Sequence, residues 1–123
     1  MADDRARLGR RGEKLACKYL KKLGYRILAR NYRCPAGEID LIALDGDVIA
    51  FAEVKTRSSE DAADVERAVG PAKQRQLTRT AKFYLTHCPA AQDHPCRFDI
   101  LGIVCRNGDK PEVRHIPDAF DPV

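Results

Sequence analysis

The chain has no tryptophan, and aromatic residues make up only 7% of its 123 residues. A platform that stacks the bases of a single strand needs several exposed rings, so that class of binder is poorly supported. There is no Walker A sequence and no G-x-G-x-x-G. GRRG at Gly9–Gly12 lacks the preceding strand that phosphate-cradling loops use. No apolar run is long enough to span a bilayer, so no membrane partner is expected. The opening residues, MADDRARLGRRGEKLA, contain no apolar signal core, and a cytoplasmic location is expected. The five cysteines (Cys17, Cys34, Cys88, Cys96 and Cys105) are odd in number and have no C-x-x-C spacing, which argues against a secreted disulfide framework. His87, Cys88, His94 and Cys96 lie close in sequence, but their spacing fits no common zinc pattern. That stretch reads as a helix end followed by a Pro-rich loop. None of His87, His94 and His115 has a placed nucleophile beside it, which disfavours a Cys/His or Ser/His enzyme.

What remains is a chain of 44% hydrophobic and 33% charged residues, suited to one globular domain over residues 1–123. The charge is unevenly spread. Residues 1–33 carry eleven Lys/Arg against Asp3, Asp4 and Glu13, a net +8, while the remainder has a net −4. A basic first helix suits contact with a phosphate backbone, and it also suits a solvated face.

From Asp4 to Leu23 the apolar residues Leu8, Leu15, Ala16, Tyr19, Leu20 and Leu23 have helical spacing, and Gly24 is a stop signal. YRILARNYRC, GEIDLIALD and VIAFAEVKTR read as three strands, the last two joined at Asp45-Gly46. The acidic stretch 58–69 reads as a mobile loop or a frayed helix. Gly70-Pro71 opens a second helix with Leu77, Ala81, Tyr84 and Leu85 inward. RFDILGIVC is a fourth strand, NGD at Asn107 a turn, and EVRHI an edge strand. The expected architecture is α/β, with a central mixed sheet of about five strands flanked by helices.

The third strand begins apolar and ends in Glu53 and Lys55. Alternation places both on the face of Ile49 and Phe51. A two-residue turn at Asp45-Gly46 would pair Leu44 with Asp47, Ile42 with Ile49, Asp40 with Phe51, and Glu38 with Glu53. Asp40 and Glu53 would then be diagonal neighbours about 7–8 Å apart at the backbone. The other face would carry Ile39, Leu41, Ala43, Val48, Ala50, Ala52 and Val54. Acids gathered at one sheet end repel unless something positive joins them, and Lys55 alone does not balance Asp40, Glu53 and Glu38. Either a hard divalent cation such as Mg²⁺ or Mn²⁺ binds there, or the end is solvated around a Glu–Lys pair.

GEIDLIALDGDVIAFAEVKTR resembles the core of the PD-(D/E)XK, or restriction-endonuclease-like, superfamily. Asp40 matches its first Asp and Glu53-Val54-Lys55 its (D/E)-X-K, while Ile39 replaces the motif's proline. The segments GRRGEKLACKYLKKLGYRILARNYRC, GEIDLIA, FAEVKTR, AVGPAKQRQL and PCRFDIL are together similar to the small bacterial YraN family. The layout is most similar to that of Holliday-junction resolvases. The resemblance implies a restriction-endonuclease-like fold with a metal held by Asp40, Glu53 and the Val54 carbonyl. It implies that Lys55 orients or deprotonates the attacking water, and that Glu13 of the first helix belongs to the site, although a solvated flank also fits Glu13. Gln74 lies on the inward face of its helix, so it needs a partner in the metal shell, the substrate or a helix-end water. Arg10, Arg11, Lys14, Arg57 and Lys73 are the expected nucleic-acid contacts.

The function expected is a Mg²⁺-dependent nuclease acting on branched or otherwise structured DNA. The alternatives are a non-cleaving nucleic-acid-binding module of the same fold and a protein-interaction domain. Resolvase-like relatives work as dimers, so a homodimer is an expectation.

Overall fold

Ala16, Cys17 and Leu20, which fall within about one turn, are all buried and form the inward stripe of α1 (Asp4–Lys22). Leu23, expected on that stripe, is instead 50% exposed. It lies past the last helical residue, where Gly24 at φ +90° turns the chain away. In this computed structural model, residues 4–58, 69–106 and 110–123 are described. The expected acidic loop at 58–69 and the turn at Asn107 lie almost wholly outside them.

Five strands follow the order β1 (Arg26–Cys34), β2 (Gly37–Asp45), β3 (Val48–Ser58), β4 (Cys96–Cys105) and β5 (Glu112–Phe120), which is also their order across the sheet. All neighbours are antiparallel except β3 and β4, which are parallel. A parallel pair needs a crossover, and α2 (Pro71–His87) lies within it. This is the restriction-endonuclease-like arrangement.

The sheet is covered on both faces. Ala16, Cys17 and Leu20 of α1 pack on Leu41, Ala43, Ala52, Leu101 and Ile103. Leu77 and Ala81 of α2 pack on Ile39, Ile42, Ile49, Phe51 and Phe98. Gly12 brings the first turns of α1 onto β3, because a Cβ there would run into the Thr56 hydroxyl.

Two details of the hairpin differ from the sequence reading. Leu44 pairs with Ile49 and Asp45 with Val48, so Gly46-Asp47 form the loop. Gly46 takes φ +62° as the first loop residue, a conformation glycine adopts at no steric cost. The register therefore differs from that expected by two residues, an even number that leaves every side chain on its face. The second difference is Ile39, which joins the cluster beneath α2 together with Ile42. These residues are three apart, so strict alternation breaks between them. The β2–β3 ladder ends at Leu41 opposite Ala52, while Gly37, Glu38 and Ile39 stay paired with β1 alone.

Candidate metal and nucleic-acid site

Continuing the observed register by one residue beyond Leu41–Ala52 sets Asp40 opposite Glu53. No ladder bond forms there. Instead the Val54 N–H donates to the Asp40 carboxylate at 2.8 Å. The two carboxyl groups are neighbours, and burial together with the contact to Glu53 pushes Asp40 up to about 7. Burial acts first and the negative charge of Glu53 adds to it, while the Val54 N–H and Lys73 pull the other way. Glu53 is 4% exposed, with Lys73 Nζ 3.2 Å and Lys55 Nζ 3.7 Å from its Oε2.

These groups line an open cavity of about 720 Å³ at the end of the sheet. Glu13 reaches it from α1, Lys73 from α2, and Glu38, Thr56 and Arg57 from the strand ends. Burial and then the nearby Asp40 raise Glu13 above the usual carboxylate range, while a hydrogen bond from Asn31 opposes the rise. Glu38 is turned outward to Arg33, with the guanidinium 3.1 Å from its carboxylate. A second cavity of about 250 Å³ lies on the other side of Glu13 and Asp40, lined also by Arg10, Lys14, Arg30 and Asn31. Arg11 is exposed on α1.

Asp40, Glu53, Val54, Lys55 and Glu13 thus line one cavity. Lys73, read from sequence as a surface contact, is in the carboxylate cluster itself. The site therefore has two amines where the sequence reading counted one. Gln74 has a different partner from those expected, because its amide donates to the Val69 carbonyl at 3.0 Å. It ties the first turn of α2 to Val69, two residues before the helix. Asn31 was missed. It takes φ +50°, a conformation Asn tolerates better than most residues, and nothing in its sequence context marks it. In the Cys/His stretch, His87 bonds and stacks on its own helix through Phe83, and His94 bonds the Asp47 carbonyl.

The donor set can be tested for a metal. Among the described residues no three of His, Cys, Asp and Glu converge to hold an ion. The Asp40–Glu53 pair offers only oxygen ligands, which suits a hard cation that keeps several waters. Two ammonium groups already face Glu53, yet Asp40 still favours its proton near neutral pH. The residues fit a divalent cation, because it would remove the repulsion that the lysines leave.

This shift predicts a pH dependence. With its folded value raised from 3.8 to about 7, Asp40 binds more protons folded than unfolded in that interval. Stability in chelator therefore falls as pH rises from 4 toward 7. Asp40→Asn keeps an acceptor for Val54 N–H and a donor for Glu53 but carries no charge. At pH 8 in chelator it is expected to be more stable than wild type by about 2 kcal/mol, a few degrees in Tm. At pH 4, near the unfolded carboxylate value, the two should melt together. A gap unchanged between these pH values would show that the pair is not strained by charge.

Residues 12–103 match the Uncharacterised protein family UPF0102. UPF0102 proteins of Geotalea uraniireducens, Syntrophotalea carbinolica and Chlorobium chlorochromatii are 44%, 45% and 47% identical to this chain. The alignments cover 96%, 98% and 92% of this chain, and 92%, 97% and 90% of those proteins. These matches agree with the YraN-like resemblance read from the motifs.

Proposed function

We propose, for a chain that belongs to the Uncharacterised protein family UPF0102, a metal-dependent phosphodiesterase activity on structured DNA. The observation that carries this reading is half-buried Asp40 beside buried Glu53 and the Lys55 amine, in an open cavity that Arg57 and Lys73 also line. Asp40, Glu53 and the Val54 carbonyl would hold Mg²⁺ or Mn²⁺. The cation would lower the pKa of an attacking water and neutralise charge on the phosphate. Lys55 offers donors only, so it would orient that water or hold a phosphate oxygen. Arg57 lines the same cavity, and Arg10 and Lys14 line the adjoining one, where flanking phosphates would lie. A non-cleaving nucleic-acid-binding module is the second reading. It draws on the absence, among the described residues, of a third converging carboxylate.

The direct test incubates the purified protein with branched, single-stranded and duplex DNA, with Mn²⁺, with Mg²⁺ and with chelator. Metal-dependent cleavage of any of them supports the enzyme. Binding without cleavage under every condition supports the module. Under either reading affinity should fall steeply with salt, since bound phosphates release counterions. Replacing Arg10, Arg11 and Lys14, all exposed on α1, by Ala should reduce the log–log salt slope by about 2–3 without unfolding the chain. An unchanged slope would remove α1 from the contact surface.

A further inference from the structure

Lys73 is an unexpected residue for its position. It lies in the first turn of α2, which starts at Pro71 and holds no acidic residue in that turn. The unsatisfied N–H groups of a helix start already present positive charge, so the position disfavours a cation. The side chain is nevertheless drawn in to 34% exposure, and Nζ lies 3.2 Å from Glu53 Oε2. Lys55 approaches the same oxygen from 3.7 Å. One nearly buried carboxylate oxygen therefore faces two ammonium groups, brought by a strand and by a helix.

The two lysines are differently held. Lys55 is two residues from Glu53 on one strand, so pleat geometry keeps it beside the carboxylate. Lys73 comes from another element and is joined to the cluster only through its flexible four-carbon stem. We infer that Lys73 is an internal counter-cation for Glu53, which competes with a divalent cation for that carboxylate and turns to substrate phosphate once the cation binds. With Asp40 and Glu53 ionised, the two lysines match them in number, although both sit on Glu53. Adding a dication leaves excess positive charge at the cavity, which displaces the less constrained amine and favours an incoming phosphate. This rests on the metal reading of Asp40 and Glu53, and deepens it by naming the group that holds the site before metal arrives.

The test uses the full-length protein stripped with chelator, calorimetric titration with Mn²⁺ alone, and melting in chelator. Lys73→Met keeps the stem and removes the charge, whereas Lys73→Arg keeps a charge. Lys73→Met should bind Mn²⁺ about tenfold more tightly than wild type, since a competing positive charge is gone. In chelator it should melt lower, because nearly buried Glu53 has lost a partner. Lys73→Arg should remain near wild type in both measurements. Wild-type Mn²⁺ affinity or wild-type melting in Lys73→Met would overturn the inference and leave the metal reading standing. Absence of Mn²⁺ binding in both wild type and Lys73→Met would overturn both.

Discussion

Glu53→Gln is expected to abolish metal-dependent strand cleavage, by on the order of 10³-fold or more, while binding of the same DNA in chelator becomes tighter. The two effects have one cause. Glu53 is the carboxylate on which Lys55 and Lys73 converge, and it faces Asp40. Its neutral isostere would weaken the cation site and remove a negative charge from the place where a phosphate would lie. Two ammonium groups would also be freed to meet that phosphate. The chain should still fold, because both lysines are partly exposed and can reach water. A cleavage assay beside a chelator binding titration checks both halves. Cleavage by Glu53→Gln at the wild-type rate would point to a contaminating nuclease and remove support for the mechanism. Weaker binding would mean that Glu53 organises the contact surface rather than opposing the phosphate.

The largest loss of stability is expected at another carboxylate, which has no place in the chemistry. Asp99 is 1% exposed, at the register shift near one end of the β4–β5 pair. It accepts from Arg97 Nε at 2.9 Å, from the Asp118 N–H at 3.0 Å and from the His115 ring at 2.8 Å. The Asp118 N–H lies where the β4–β5 register shifts, and Asp118 itself is at φ +52°. Arg97 extends the network to Asp45 and to the Tyr25 hydroxyl. Asp99→Ala would leave an imidazole and a strained backbone N–H short of an acceptor, and a half-buried guanidinium with Asp45 as its remaining carboxylate. The expected cost is about 3–5 kcal/mol, or roughly 10–20 °C in Tm. Thermal unfolding of wild type, Asp99→Ala and Asp99→Asn would measure it. A loss below about 1 kcal/mol for Asp99→Ala would show that the network is dispensable.

Asp99 and half-buried Asp40 should also respond to pH with opposite sign. Burial alone would raise Asp99, but its bonds to His115, Arg97 and the Asp118 N–H outweigh burial and hold it below the usual range. Its stabilising contribution is present above the unfolded carboxylate value and is lost as pH falls through the folded one. Asp40, with a single backbone donor and a carboxylate neighbour, behaves in the reverse way. A fully partnered acid is a structural part, whereas an acid left short of positive partners marks a place where a ligand can add stability.

The amino-acid sequence alone was sufficient for the parts of this protein that depend on local periodicity. GEIDLIALD and VIAFAEVKTR are strands because they alternate or are apolar between turn signals, and α2 starts at Pro71 because Gly70-Pro71 presets that start. Asp40 and Glu53 meet even though the register differs by two residues from that expected, because a period of two tolerates an even shift. The tertiary structure decided what depends on distances between elements. Lys73 is 20 residues from Glu53 in sequence, and only the packing of α2 on the sheet makes it an ion-pair partner rather than a surface charge. Gln74, one position on, is rotated about the helix axis to the Val69 carbonyl, and no periodicity distinguishes that partner from a substrate. The Asp99 network joins residues from Tyr25 to Asp118. Hydrogen bonds are short-ranged and directional, so which of the chain's charged groups satisfy one another is settled only when the layers close.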